Sequence, residues 1–397
     1  MKLQTKKTLD YYLGGLLMAF LKPCVWLLGL VLRRHHHLEV RRSLCVIKML
    51  GGGSLVIAYP ALLGLRRRYP SATLSLITTR EILPFAETLN VFDRIDVIDD
   101  RLPLSTLWTG LGCLWRNFGV DTVIDLEVYS RLTTILSTLT AARNRIGFYL
   151  EAVFWRQRLH THLIFFNRSS GSFHWYDAIA RLLGAEPASV IACREHLRAH
   201  LGLPAAPARP AGRVAIGHSC SALAVERMLT PQQWATVFRE HGAPAEAALF
   251  GIAGDRAAAE QIIAAVAPAS PATRLENLCG ELLLADTVRR MDSCGQFWGV
   301  DSALLHYARL LGLRCISYWG PTDPATRLRP VPGLEERTYY RRVACSPCVH
   351  VAETPPCHGQ NICIKGLFGQ AVPEEGATWL AWGQGNGDAD REPGVSG

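Results

Sequence analysis

Apolar runs of strand length alternate with apolar runs at helical spacing from residue 43 onward, and few folds accept that order. "SLCVIKML" (43–50) is apolar without alternation, as suits a strand buried on both faces. "GGGS" then turns into "LVIAYPALLGLRRRYP", apolar at helical spacing with a basic end. Strand-type segments follow at 73–79 (TLSLITT), 94–99 (RIDVID) and 121–127 (DTVIDLE), with helical stretches between them. After a Pro/Ala/Gly-rich stretch, "LGLPAAPARPAGR" (201–213), the alternation restarts with "RVAIGHS", "AALFGIAG", "QFWGVDS" and "RCISYWG". The pattern predicts an α/β chain of two Rossmann-like, doubly wound domains in tandem, 43–205 and 206–344. Ligands of such sheets bind beyond the carboxyl ends of the strands, so chemistry is expected in the cleft between domains.

Residues 1–42 stand apart. "YYLGGLLMAFLKPCVWLLGLVL" (11–32) approaches the roughly 20 apolar residues that cross a bilayer, but Lys22 and Pro23 interrupt it. It reads as a kinked spanning helix or as a helix pair in the interface, Lys22 snorkelling to headgroups; a core helix of a soluble domain is the bland alternative. Arg33, Arg34, Arg41 and Arg42 follow the segment, against Lys2, Lys6 and Lys7 before it. The balance places the main body in the cytoplasm, on the inner face of the membrane, and no small-residue cleavage site marks a signal peptide. Much of the net charge of +8 sits in this region rather than in a folded stripe, which argues against nucleic acid.

Eight of the twelve cysteines are scattered singly through expected strands and helices, the usage of a reducing compartment. The other four are clustered in 345–364, "CSPCVHVAETPPCHGQNIC". Cys345, Cys348, Cys357 and Cys363, with His350 or His358 as substitutes, have the ligand types of a structural zinc site; unligated thiols in a loop are the alternative. Residues 365–397 form an extension whose end, 384–397, has a disorder-type composition.

The stretch "VDSALLHYARLLGLRCISYWGPTDP" (300–324) puts Asp301 and Ser302 where a strand ends and a helix begins. Backbone N–H groups and the helix dipole attract anions there, and His306 lies one turn on, on the face of Ser302. An Asp that caps a helix over a core His is the structural alternative. "GGGS" lacks the third glycine of a dinucleotide fingerprint, Val56 standing in its place, and no ribose-binding acid ends the second strand, which sets an oxidoreductase aside.

Taken in order, "KMLGGGSLVIAYPALLGLRRRYPSATLSLIT", "DTVIDLE", "RNRIGF", "NLCGELLLADTV", "VDSALLHYARLLGL" and "WGPTDP" resemble glycosyltransferase family 9, the bacterial heptosyltransferase-like enzymes, from about residue 43 to 364. The resemblance implies a GT-B fold, an acceptor-binding first domain and a nucleotide-sugar-binding second domain. It also implies transfer of a sugar, typically heptose from ADP-heptose, to a lipopolysaccharide core or other lipid-linked envelope glycan.

An inverting transferase must deprotonate an acceptor hydroxyl, stabilise an oxocarbenium-like sugar and neutralise the departing diphosphate, which helix N-termini and a cation can do without a metal. On that reading the donor meets Ser302, Ala303, His306, Ser219, Ser221 and Arg227, which replaces the family's lysine. Asp301 holds a sugar hydroxyl or orders its loop, and Asp286, beside Ala285 at the place of a family acid, serves the ribose. Ala303 itself stands where the family has glycine. The glycine loop Gly51, Gly52, Gly53 departs more seriously: it ends in Ser54 where the family carries its catalytic Asp. Serine is no general base, so the expectation passes to Glu127, with Asp125 as runner-up. Should neither serve, the chain is a catalytically silent nucleotide- or glycan-binding scaffold at the membrane.

Overall fold

The computed structural model describes residues 3–33, 35–205, 207, 209–221, 225–349, 355, 357 and 361–369. His350, His358 and the tail from 370 lie outside the described residues. The chain opens with α1 (Leu3–Leu32), then alternates β1 (Ser43–Lys48), α2 (Gly52–Arg68), β2 (Thr73–Thr79), α3 (Leu83–Leu89), β3 (Arg94–Ile98) and α4 (Pro103–Arg116). β4 (Thr122–Asp125), α5 (Arg131–Leu139), β5 (Asn144–Tyr149), β6 (His162–Phe165), α6 (Ser172–Leu182) and α7 (Val190–Leu201) complete the first half. The second half runs β7 (Arg213–Gly217), α8 (Pro231–His241), β8 (Glu246–Leu249), α9 (Arg256–Val266), β9 (Arg274–Asn277) and α10 (Leu284–Asp292). It ends with β10 (Gln296–Val300), α11 (Ala303–Leu311), β11 (Arg314–Trp319), β12 (Glu336–Tyr340) and α12 (Ile362–Lys365).

The first six strands form one parallel sheet in the order β3-β2-β1-β4-β5-β6, the second six another in the order β12-β11-β10-β7-β8-β9. Read from the other edge, the second order is the first repeated, so each sheet reverses direction between its first and fourth strands. These are the two switch points at which doubly wound sheets bind ligands. Strands at the switch points are buried along their length, β1 from Leu44 to Lys48, and this is why they read as continuous apolar runs. The two-domain GT-B architecture is therefore present.

The domains are packed against each other. Phe85 of α3 stacks on Tyr307 of α11, Arg194 Nε donates to the Leu310 carbonyl at 2.7 Å, and Arg329 grips Asp177 with two bonds of 2.7 Å. At α2 the approach is close enough that a Cβ on Gly53 would sit 3.3 Å from the Cα of Ala303.

α1 corrects one expectation. The chain does not break into a helix pair at Lys22–Pro23; one helix runs through Pro23. A proline removes one backbone bond and kinks a long helix, which an apolar run on both sides tolerates. Nor is α1 a core helix, since only 6 % of the most apolar stretch within Lys7–Leu32 is buried.

Candidate active site

β10 delivers Asp301 and Ser302 to the carboxyl edge of the second sheet, and α11 begins at Ala303. Ser302 takes the N-cap position with extended backbone, yet its hydroxyl makes no capping bond. That Oγ is buried and has no hydrogen-bond partner among the described residues. A buried hydroxyl without a partner at a helix N-terminus suits an incoming acceptor group, because leaving it unsatisfied costs on the order of 1–3 kcal/mol.

Asp301 is nearly sealed from solvent and orders the loops around it. Its Oδ2 accepts from Arg227 Nη1 at 3.2 Å and from Thr322 Oγ1 at 2.8 Å, and Arg227 Nη2 donates to Ser221 Oγ at 3.2 Å. The two most specific stretches of the sequence, Asp-Ser at 301–302 and Gly-Pro-Thr-Asp-Pro at 320–324, thus meet through one carboxylate. Of the two roles expected for Asp301, the geometry supplies loop ordering. Burial works against its charge, but Arg227, and beyond it Arg327, hold the carboxyl below the usual range.

His306 lies buried one turn into α11. Burial pushes its pKa down to about 4, with Asp301 opposing, so near neutrality the ring is uncharged and offers a hydrogen bond rather than a cation. Positive charge in this pocket comes from Arg227 and Arg327. Arg327 has no place in the sequence reading, although it stands three residues after Pro324; neither does Thr322 or His218. His218 follows β7 directly, is buried, and neither ring nitrogen has a hydrogen-bond partner among the described residues. A titratable ring immediately after a switch-point strand was the available signal.

Two expected donor-side groups are committed elsewhere. Ser219 Oγ donates to Asp255 Oδ2 at 2.8 Å, and that same oxygen also accepts from Ile252 N at 2.9 Å. Asp286 pairs with Arg289 one turn along α10, at 2.6 Å, on a half-exposed surface.

Across the crevice, Gly51 adopts φ +74°, which glycine accommodates, and a Cβ on Gly52 would lie 2.2 Å from the Phe85 ring. Ser54 Oγ donates to the Gly51 carbonyl at 2.6 Å, closing the turn. Glu127 reaches back to this turn: its Oε1 accepts from Lys48 Nζ at 2.8 Å and from the backbone N–H groups of Met49 and Leu50 at 2.8 and 2.9 Å. None of the three bonds uses Oε2.

Asp125 is corrected outright as a candidate base. It is fully buried, Oδ2 accepting from Arg156 Nη2 at 2.9 Å and Thr133 Oγ1 at 3.1 Å, and Oδ1 from the Glu127 N–H at 3.0 Å. An acceptor hydroxyl cannot reach it. Burial alone would raise its pKa, but Arg156 and His160 outweigh burial and hold the carboxyl low.

Cys363 lies in the second-domain core with Val343, Ile362 and Ile364, Cys345 and Cys357 pack at its margin, and Cys348 is buried as well. Among the described residues no three His, Cys, Asp or Glu side chains converge to hold a metal ion. Burial, and after it the neighbouring thiols of the cluster, push the Cys348 thiol up to about 11 and that of Cys363 up to about 12. Among the described residues the expected zinc site therefore has no assembled ligand set.

Residues 204–357, the second domain with most of the cysteine loop, match the family model for glycosyltransferase family 9 (heptosyltransferase). A glycosyltransferase family 9 structure from Veillonella parvula DSM 2008 superposes with TM-score 0.57 at 15 % identity, over 75 % of this chain and 86 % of that one. ADP-heptose LPS heptosyltransferase II of E. coli gives 0.55 at 16 %, over 82 % and 98 %. The E. coli heptosyltransferase WaaC with ADP gives 0.57 at 13 %, over 75 % and 92 %. No curated protein matches by sequence. Identities this low speak for the shared fold, and the family match is that of residues 204–357.

Proposed function

We propose that this chain, whose second domain is that of glycosyltransferase family 9 and whose two halves adopt the GT-B fold of glycosyltransferases, transfers heptose from ADP-heptose to a lipopolysaccharide-type or other lipid-linked envelope glycan. The transfer inverts the anomeric centre, uses no metal, and takes place at the cytoplasmic face of the inner membrane, where α1 holds the acceptor domain. One observation carries the reading: the buried Ser302 hydroxyl, without a partner among the described residues, beside Arg227 and neutral His306, at the start of a helix that faces the Gly51–Gly53 turn. The nucleotide and sugar are taken from likeness to the E. coli heptosyltransferases and from nothing in this pocket.

In this arrangement the donor diphosphate lies against the first N–H groups of α11. Ser302 Oγ and His306 donate hydrogen bonds to its oxygens, and Arg227 and Arg327 offset the charge that grows as the anomeric C–O bond breaks. The acceptor hydroxyl attacks from the side of the first domain and gives its proton to a base. With Ser54 unable to take it, Glu127 is the carboxylate nearest the glycine turn, Oε1 holding the loop and Oε2 receiving the proton. Ser54 and the committed Oε1 also favour a second reading, a silent scaffold that binds the nucleotide and does nothing further.

Membranes supplied with radiolabelled ADP-heptose and the purified chain separate the two. Label appearing in extracted glycolipid with the wild type and not with Glu127→Gln supports transfer and the base together. Nucleotide binding with no label in any extracted glycolipid, across a panel of nucleotide sugars, leaves the scaffold.

A further inference from the structure

The sharpest mismatch between pattern and placement is α4. Leu104, Leu107, Trp108, Leu111 and Trp115 fall at the spacing by which a helix of a soluble domain covers its core. Here that stripe faces outward: Trp108 and Trp115 are 70 and 84 % exposed, and Leu102 and Phe118 extend it at either end, both 66 % exposed. Cys113 is the one residue of α4 that is buried. Contiguous exposed apolar surface of this kind marks an interaction site.

α4 shares a side of the molecule with α1. Cys113 of α4 and Leu136 of α5 join one core over the same face of the first sheet, with Ile47, Ile77 and Val123 beneath them. α1 lies on α5 through Met18, Ile135 and Leu159, and Asp10 accepts from Ser130 Oγ and from the N–H groups of Arg131 and Leu132. Fastened along α5, α1 still leaves nearly all its apolar window uncovered.

We propose that α4 is a second membrane-contacting helix, seated in the headgroup region of an anionic bilayer with Trp108 and Trp115 at the interface. The inference rests on the membrane placement proposed above and not on the sugar chemistry. Charge selects the occupant. α4 carries no acidic residue; Arg116 in its last turn pairs with Asp96, and Arg101 before it and Arg80 nearby pair with Asp99, but these carboxylates are sheltered, 1 and 13 % exposed, while the three guanidinium side chains face outward at 63, 66 and 58 %. Cations around an apolar stripe with two tryptophans suit anionic headgroups over acyl chains. A second copy meeting this face with its own would set the same arginines against each other.

Co-sedimentation of the full chain with phosphatidylglycerol-containing vesicles tests this, using Trp108→Ser/Trp115→Ser in α4 and Leu16→Ser/Phe20→Ser in α1. The expected result is at least a tenfold loss of partitioning for the α4 pair, a separate loss for the α1 pair, and weak binding of the wild type to neutral phosphatidylcholine vesicles. Quenching of tryptophan fluorescence by brominated lipid should fall with the α4 pair, whose circular dichroism and nucleotide affinity stay at wild-type values. Partitioning within twofold of wild type overturns the proposal, and so does a wild-type dimer that the α4 pair dissociates without changing lipid binding. Transfer to a detergent-dispersed acceptor is scored in parallel: a chain that partitions through α4 yet transfers nothing refutes the catalytic reading alone.

Discussion

The two sides of the crevice are built on opposite principles. On the second domain some polar groups keep valence in reserve: Ser302 Oγ at the α11 N-cap and both ring nitrogens of His218 have no partner among the described residues. On the first domain the reserve is largely consumed. Ser54 closes its own turn, Glu127 Oε1 takes three donors and Asp125 is sealed under Arg156. A surface that binds an anion must leave donors unsatisfied until the anion arrives, whereas acceptors already engaged, as Glu127 Oε1 and Asp125 are, hold shape. The difference follows the family match, which covers the second domain and begins only at residue 204.

The largest effect should come from the sealed side. Asp125→Ala leaves Arg156 charged, buried and without its carboxylate, which is expected to lower stability by about 3–5 kcal/mol. Denaturant unfolding reads this directly. Donor affinity measured on the fraction that remains folded should be unchanged, and a variant that folds normally but loses nucleotide binding would break the contrast.

Next in size is the donor side. Arg227→Met removes the cation paired with Asp301 and is expected to weaken nucleotide binding, by calorimetry, about a hundredfold, roughly 2.7 kcal/mol. Arg227→Lys should recover part of that, since lysine restores charge without the fork. If Met and Lys behave alike, the guanidinium is only a structural partner for Asp301.

His306 offers a pH test of the same side. The folded chain holds its pKa at about 4, below the ordinary 6.5, so the unfolded chain takes up a proton that the folded one refuses. The stability this confers is complete above about pH 6.5 and is lost as pH falls toward 4, by about 2 kcal/mol between pH 6.5 and 5. His306→Gln should flatten that part of the unfolding profile. A profile that keeps its slope in the variant assigns the titration to another group.

What the sequence disclosed tracks the same division. Switch-point strands such as β1 and β10 read plainly because both faces are buried, and the placement of Asp301 and Ser302 was legible because they end a strand and open a helix. β6, β9 and β12 did not stand out: each is an edge strand, and β9 (RLEN) and β12 (ERTYY) carry charges on surfaces only partly covered. β5, though interior, opens with Asn144 and Arg145 and holds a glycine, so its run is broken as well. The commitments of Glu127 and Asp125 were not legible, because Lys48 lies 79 positions from the one and Arg156 31 from the other. Helical periodicity showed that α4 has an apolar stripe, but a period carries no information on which way the stripe turns.

The smallest expected effect asks whether the two sides work as one site. Gly53→Ala places a methyl 3.3 Å from the Cα of Ala303, a contact that backbone must relieve by a few tenths of an ångström. Gly53 is also inside α2, where alanine is favoured over glycine by about 0.5–1 kcal/mol. The helical gain and the crowding are of similar size, so thermal stability should scarcely move. Closure has no such compensation: the methyl separates the glycine turn from α11, and the rate of transfer should fall several-fold at saturating donor. An unchanged rate would mean that the sides do not need this approach during turnover, and that what looks like one crevice is two neighbouring surfaces.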